Sequence, residues 1–451
     1  LKVSLVTNNG KETSSSLVVD IVPNYLAFEA VEAGATVSLE IIGEVEAPSL
    51  EFSTNKLDWT TYDFSNPQTI ILEDVGDKVY WRNTGKADHF SKGEEKYIRF
   101  DLGDKMIAAA GNIMSLIDKS CQSLTIPSDN CFFGLFDSDT TLVAAPELPA
   151  TELALNCYCS LFYGCSSLET APELPATTLK SSCYMRMFYG CTSLETAPEL
   201  PATMLEGWCY QMMFNGCTSL VTAPPLGNIT QLEDGACDGM FYGCTMLQTV
   251  KFANNCKIKS IPYFCFQDCT ALVNVNIPKS VTVIEKAAFM NCTSLTYLEF
   301  PDNITSIDYL AFQNCTNLTN VELSGNITSI GNYAFQNCTN LMNVVIRKTL
   351  VELGEHAFHG CVKLKHVELG EGLKTIYSSA FLGCTSLKDI LLPSTLTSIG
   401  SYAFAECPLQ SITLPNSVTT LGTKAFYGCT SLKDVKLSDN LKVIPDFAFG
   451  K

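Results

Sequence analysis

Positive charge is scarce in this chain of 451 residues: 29 lysines and arginines face 47 aspartates and glutamates, a net charge of −18. The shortage is local. Residues 1–120 hold 11 bases against 19 acids and residues 251–451 hold 16 against 15, but residues 121–250 hold only Lys180 and Arg186 against 13 acids. Nucleic acid and anionic membrane surfaces are poor partners for such a distribution. Long apolar runs are missing too. The best, Met106 to Ile117, is interrupted by Asn112 and falls short of the ~18 residues of a spanning helix, so no membrane insertion by this segment is expected. The chain starts at Leu1 with neither Met nor a signal-like apolar stretch, as a processed or trimmed protein would. Histidine occurs four times. No glycine-rich phosphate loop, HExxH run or nucleophile elbow is present, so catalytic residues and cofactors are not expected.

Hydrophobic residues (46 %) and cysteine (21 copies) are plentiful, and the cysteines are periodic. Cys269, Cys292, Cys315, Cys338, Cys361, Cys384 and Cys407 are 23 residues apart, and Cys429 follows after 22 because the segment Cys407-Pro408-Leu409 is one residue short. A phenylalanine stands three residues before each, from Phe266 to Phe426. After each cysteine runs Cys-x-x-Leu-x-x-(Val/Ile/Leu)-x-(Leu/Ile/Phe), with alternation that predicts a short strand with one buried face. Upstream the unit lengthens: Cys131, Cys157, Cys183 and Cys209 are 26 apart, Cys237 comes 28 later, and Phe136, Phe162, Phe188, Phe214 and Phe241 continue the phenylalanine column. Cys165, Cys191, Cys217 and Cys244 continue the loop-cysteine column, with Asp139 in its first place. A fixed period in this range marks leucine-rich repeats. About 13 units at the ~4.8 Å strand spacing make a rod roughly 60 Å long. The slot before cysteine, occupied by Asp268, Asn291, Asn314, Asn337, Gly360, Gly383, Glu406 and Gly428, is one where a left-handed backbone is expected.

Residues 1–115 lack the repeat. Short alternating stretches at Val37–Ile41, Thr69–Leu72, Lys78–Trp81 and Tyr97–Phe100, parted by turn residues, predict an all-β, sandwich-like domain. Residues 1–23 are either extra strands or a lead. The expected architecture is thus an α/β solenoid of leucine-rich repeats, with units of about 26 residues over 116–250 and of 23 over 251–451, after the N-terminal domain at 1–115.

The runs Met187-Phe188-Tyr189-Gly190-Cys191-Thr192-Ser193-Leu194 and Ala197-Pro198-Glu199-Leu200-Pro201-Ala202-Thr203, with Ser329-Ile330-Gly331 through Ala334-Phe335, resemble BspA-like leucine-rich-repeat proteins, over about residues 121–451. The chain departs from that pattern where proline usually follows the strand, at Ser324, Arg347, Gly370 and Ser438. Leu50 to Tyr62 resembles the N-terminal β-modules of gut-bacterial surface proteins. The resemblance implies an exported or cell-surface protein of host-associated anaerobic bacteria, linked to adhesion and to binding a host or matrix protein or a glycan, with no catalytic residues to carry over.

Three readings of chemistry-bearing residues follow from the register. His356, His359 and His366 share a unit with Cys361, but Cys361 belongs to the buried ladder, His359 to the slot of Gln313 and Gln336, and His366 to the strand slot of Asn320 and Asn343. Ligands on different faces do not converge, and no metal site is expected. The pairs Cys157/Cys165, Cys183/Cys191, Cys209/Cys217 and Cys237/Cys244 are disulfides or buried thiols; parallel stacking favours thiols. Glu147, Glu173 and Glu199 recur with the repeat as a solvated face or a weak cation site.

Varied residues beside the invariant strand core are the candidate binding surface: Tyr297 and Glu299, Asn320 and Glu322, Asn343 and Val345, His366 and Glu368, Asp389 and Leu391. Tyr297, Val345 and Leu391 stand out as apolar groups expected to be exposed. The acidic segment 121–250 is a second candidate, suited to a basic partner. The alternative to a binding or adhesion protein is an enzyme accessory or carbohydrate-binding protein with its site in residues 1–115.

Overall fold

The computed structural model describes residues 23–85, 87, 90–226, 229–253, 255–323 and 325–450. The readings made on residues 1–22, His89 and Ser324 lie outside the described residues.

Among the described residues the first nine strands are β1 (Leu26–Ala30), β2 (Ala35–Ile42), β3 (Leu50–Ser53), β4 (Thr60–Thr61), β5 (Ile70–Leu72), β6 (Lys78–Asn83), β7 (Tyr97–Asp101), β8 (Ile107–Ala110) and β9 (Leu142–Ala144). They form one sheet in the order β4-β3-β6-β1-β8-β9 and another in the order β5-β2-β7. Alternation places Val37 and Leu39 of β2, Val79 and Trp81 of β6, and Ile98 and Phe100 of β7 in a common core. Aromatic rings join the two sheets, Phe28 lying 4.7 Å and Trp81 5.4 Å from Phe100. All pairings here are antiparallel except β8 with β9, which are parallel. Through that pair the sheet runs into the first coil of the solenoid.

The expected helices on the outer side of each unit are not there. Among the described residues the helical element is a single 3₁₀ turn, Ile113–Leu116, capped by the Asn112 side chain accepting from Met114 N–H. The α/β expectation is therefore corrected to a solenoid of stacked coils with almost no helix. The hydrogen bonds give the reason. In the coil 156–164, Cys159 N–H bonds back to Asn156 O and Leu161 N–H to Tyr158 O, whereas Tyr158, Ser160, Phe162 and Gly164 donate to Cys183, Met185, Met187 and Tyr189 of the next coil at 2.7–3.0 Å. Every second N–H thus leaves its own turn, and an α-helix cannot spare it. A left-handed residue at each fourth position (Asn156, Ser160, Gly164) sets this spiral, as Leu310 and Asn314 do in the shorter units. Gly164 occupies this slot with φ of +70°, a conformation glycine takes without strain, and the same slot holds Ser138 in the coil before and Asn314 further along.

The interior is made of columns. Phe136 through Phe426 are fully buried, and successive rings lie 5.2–5.7 Å apart within 19° of parallel. Burying each such ring is worth roughly 1.5–3 kcal/mol. The 26-residue units add a second column, Phe132, Tyr158, Tyr184 and Tyr210. Beside the phenylalanines run the loop cysteines, each Sγ donating to the carbonyl of the phenylalanine one unit back, as Cys292 to Phe266 and Cys361 to Phe335 at 3.1 and 3.2 Å. All 21 cysteines are free thiols. The turn slot is a ladder of side-chain amides: Asn291 donates to Asp268, Asn314 to Asn291 and Asn337 to Asn314.

Candidate functional site

The expected strand face exists, but it is broken. Asn320–Glu322, Asn343–Ile346 and His366–Leu369 pair in parallel, in register, as a three-stranded sheet. The units at Tyr297 and at Asp389 carry no assigned strand. Pro301 and Pro393 follow those two units, whereas Ser324, Arg347 and Gly370 follow the three paired ones. Proline has no N–H to give and biases the residue before it, which weakens the ladder there. Proline is not decisive, since Ser411–Thr413 pairs with Asp434–Lys436 although Pro415 follows it.

All ten candidate binding residues line one of two neighbouring hollows on this face. The first, about 470 Å³, is lined by Tyr297, Glu299, Asn320 and Glu322, with Arg347 across from them. Arg347 Nη2 sits 2.8 Å from Glu322 Oε1 with both side chains largely in solvent, so this ion pair orients the walls more than it stabilises the fold. The second, about 620 Å³, is lined by Asn343, Val345, His366, Glu368, Asp389 and Leu391, together with Lys365. Asn343 Nδ2 donates to Asn320 Oδ1 at 2.6 Å, linking the two. Leu391 is 85 % and Tyr297 56 % exposed, as expected. Val345 is not exposed: it is half-buried between Glu322 and Glu368 of the flanking strands. The sheet, which Tyr297 and Leu391 lack, is what covers it.

In the 26-residue units the same face is joined, among the described residues, by single bridges, Ala144 to Thr170, Thr170 to Thr196 and Thr196 to Thr222. The Ala-Pro-Glu-Leu-Pro runs follow and make two adjoining grooves of about 440 and 390 Å³, walled by prolines, with Glu147, Glu173 and Glu199 exposed along them. Glu147 is partly engaged, accepting from Asn24 Nδ2 at 3.0 Å.

The longest ladder lies elsewhere, unexpected from the strand pattern. Ser260–Ile261, Val283–Ile284, Ser306–Ile307, Ser329–Ile330, Glu352–Leu353, Thr375–Ile376, Ser398–Ile399 and Thr420–Leu421 form an eight-stranded parallel sheet. Its signal in the sequence was the recurring Ser-Ile-Gly or Thr-Ile dipeptide, two residues at a time. Partly exposed tyrosines follow it, among them Tyr263, Tyr309, Tyr377 and Tyr402, with Lys286 over the Phe264 and Tyr309 rings and Lys424 over Tyr402 and Tyr427.

The histidines divide. Cys361 is buried and His366 stands on the strand face, as the register requires. His356 and His359, however, meet on the outer spiral, their Nδ1 atoms 3.2 Å apart. Partial burial lowers the pKa of both, and the neighbouring His356 lowers that of His359 further. Among the described residues no three His, Cys, Asp or Glu side chains converge as a metal set. In the N-terminal sheets, Arg82 covers the Trp59 ring at 3.8 Å while paired with Glu51, so that ring face is already taken. No described helix is long and apolar enough to cross a membrane.

No curated protein matches this sequence. Among solved structures the chain is similar to a leucine-rich repeat protein from Bacteroides ovatus (22 % identity over 69 % of this chain and 82 % of that one, TM-score 0.46). It is similar also to a leucine rich cell surface protein from Faecalibacterium prausnitzii (21 % identity, 87 % and 95 % covered, TM-score 0.38). The family described as BspA type leucine rich repeat region matches residues 148–258, 237–365 and 351–451, in six copies. These segments span 304 of the 451 residues, and with the stacked 23- and 26-residue coils they establish that the chain belongs to the BspA-type leucine-rich-repeat family.

Proposed function

We propose that this chain is an exported, cell-surface binding or adhesion protein, and that the strand face at residues 297–391 takes a host or matrix protein or a glycan. One observation carries the reading: residues chosen for their variability against an invariant core all line two adjoining hollows. Uniform phenylalanine and cysteine columns hold the backbone, and the walls between them combine Tyr297 and Leu391 with the charged pair Glu322–Arg347 and with His366, Glu368 and Asp389. Exposed aromatic and apolar groups flanked by charge are the composition of a contact surface.

The test is the purified chain on immobilised matrix proteins and on a glycan array, with Tyr297→Asp and Leu391→Asp beside the parent. Loss of binding by at least tenfold, with an unchanged circular-dichroism spectrum, is expected. Full binding by both variants overturns the strand-face proposal; if that binding also weakens steeply with salt, the proline-walled acidic grooves at Glu147, Glu173 and Glu199 become the site.

A further inference from the structure

We propose that His356 and His359 form a two-imidazole site for a borderline divalent cation such as Zn²⁺ or Ni²⁺, on the outer spiral and away from the strand face. The geometry comes from the spiral. The two residues are three apart, on either side of the Phe358 column, and His356 is itself a left-handed position with φ of +54°. That turn brings Nδ1 of His356 to 3.2 Å from Nδ1 of His359. An ion ~2.1 Å from two nitrogens holds them roughly 3.0–3.4 Å apart between a right-angled and a tetrahedral arrangement. The pair is therefore already spaced for chelation. Tyr333 stacks on the His356 ring at 4.7 Å and 5° and fixes its plane. Both imidazoles are only partly buried, so an ion can reach them and water can complete its shell.

The hydrogen bonding around the pair supports an occupant. Gln336 Nε2 lies 3.0 Å from the same His359 Nδ1 that faces His356. One lone pair there has two neighbours competing for it. An ion accepting both Nδ1 lone pairs removes the competition, while the Gln336 oxygen keeps its bond from the Gln313 amide. Imidazole pairs suit Zn²⁺ and Ni²⁺ and not Mg²⁺.

The preceding coil supplies harmless variants. Its residues at these two slots are Tyr333 and Gln336, so His356→Tyr and His359→Gln copy a sequence the fold already carries. The experiment is titration of the full chain with NiCl₂, followed by calorimetry and by broadening of the imidazole proton resonances, which number only four sets. One Ni²⁺ per chain is expected, with the His356 and His359 resonances broadened first and His366 spared. Each single variant is expected to weaken binding at least tenfold, and Mg²⁺ to give no heat. Absence of Ni²⁺ binding, binding unchanged in the His356→Tyr/His359→Gln double variant, or equal broadening at His366 overturns the proposal.

Discussion

The ring of Phe100, on β7 of the N-terminal sheets, lies parallel to that of Phe136, the first ring of the solenoid column, at 5.6 Å and 13°. Phe90 stacks on Phe132 in the same way, at 5.8 Å and 28°, at the head of the tyrosine column. Both interior columns therefore begin on residues from outside the repeat. The N-terminal sheets close the end of the stack, where an uncovered coil would expose its rings.

Removing one ring from the middle of the column should show how the load is shared. Phe335→Ala is expected to destabilise by about 3–5 kcal/mol. Phe335 contacts the Phe312 and Phe358 rings at 5.2 and 5.3 Å. Amide hydrogen exchange should therefore accelerate first in those two coils, with the N-terminal sheets protected; uniform acceleration along the chain would contradict local coupling.

The cysteines should be inert until the chain unfolds. Burial pushes the thiols of Cys157, Cys361 and Cys429 up to about 12, and only the thiolate reacts with alkylating agents. Alkylation of native protein should be slow and begin at half-buried Cys121, itself raised to about 11. In denaturant without reductant all 21 should react. A count near one would mean a disulfide-stapled solenoid instead.

Asp139 fills the first place of the loop-cysteine column, buried, with one carboxyl oxygen accepting from Leu102 N–H and the other without a partner among the described residues. Burial raises its pKa well above the usual carboxylate range, against the pull of Arg99. A folded state that holds this proton more tightly than the unfolded chain loses stability as pH rises from about 4 through the folded pKa. Asp139→Asn should be more stable than the parent at pH 7, with the difference shrinking towards pH 4. Melting temperatures of the two proteins at several pH values decide it; a constant difference would refute the buried-acid account.

His356 and His359 carry the opposite sign. Their folded pKa values are lowered, so the unfolded chain takes up protons first as pH falls through about 6.5, and stability drops from there down to the folded pKa. His359→Gln should flatten that part of the stability profile between pH 7 and 5 in metal-free buffer. A profile unchanged by the substitution would place the acid sensitivity elsewhere.

The repeat period, the phenylalanine and cysteine columns and the left-handed turn slot at Asn291, Asn314 and Asn337 were all legible from spacing, because identical coils must stack identical residues. The absence of helix was not. A left-handed residue at every fourth position is written as Asn, Ser, Leu, Tyr or His as often as Gly, so composition does not announce it. The burial of Val345 was missed for a related reason: it depends on which neighbouring units keep their strand, here the pairings to Glu322 and Glu368. The meeting of His356 with His359 was not foreseen because the register placed His359 and His366 but gave His356 no slot, and the spiral between them decides distance.

The alternate N–H groups that leave each turn for the next coil all run along the rod. A pull on the two ends of the solenoid therefore loads these bonds in tension, one coil at a time, and not as a sheared block. Each 23-residue coil that peels away frees about 80 Å of chain, at some 3.3–3.6 Å per residue, and exposes a single phenylalanine to water. A solenoid built this way is expected to yield to axial force coil by coil, in steps set by the 23- and 26-residue units. Sideways force, by contrast, must slide whole columns of rings past one another.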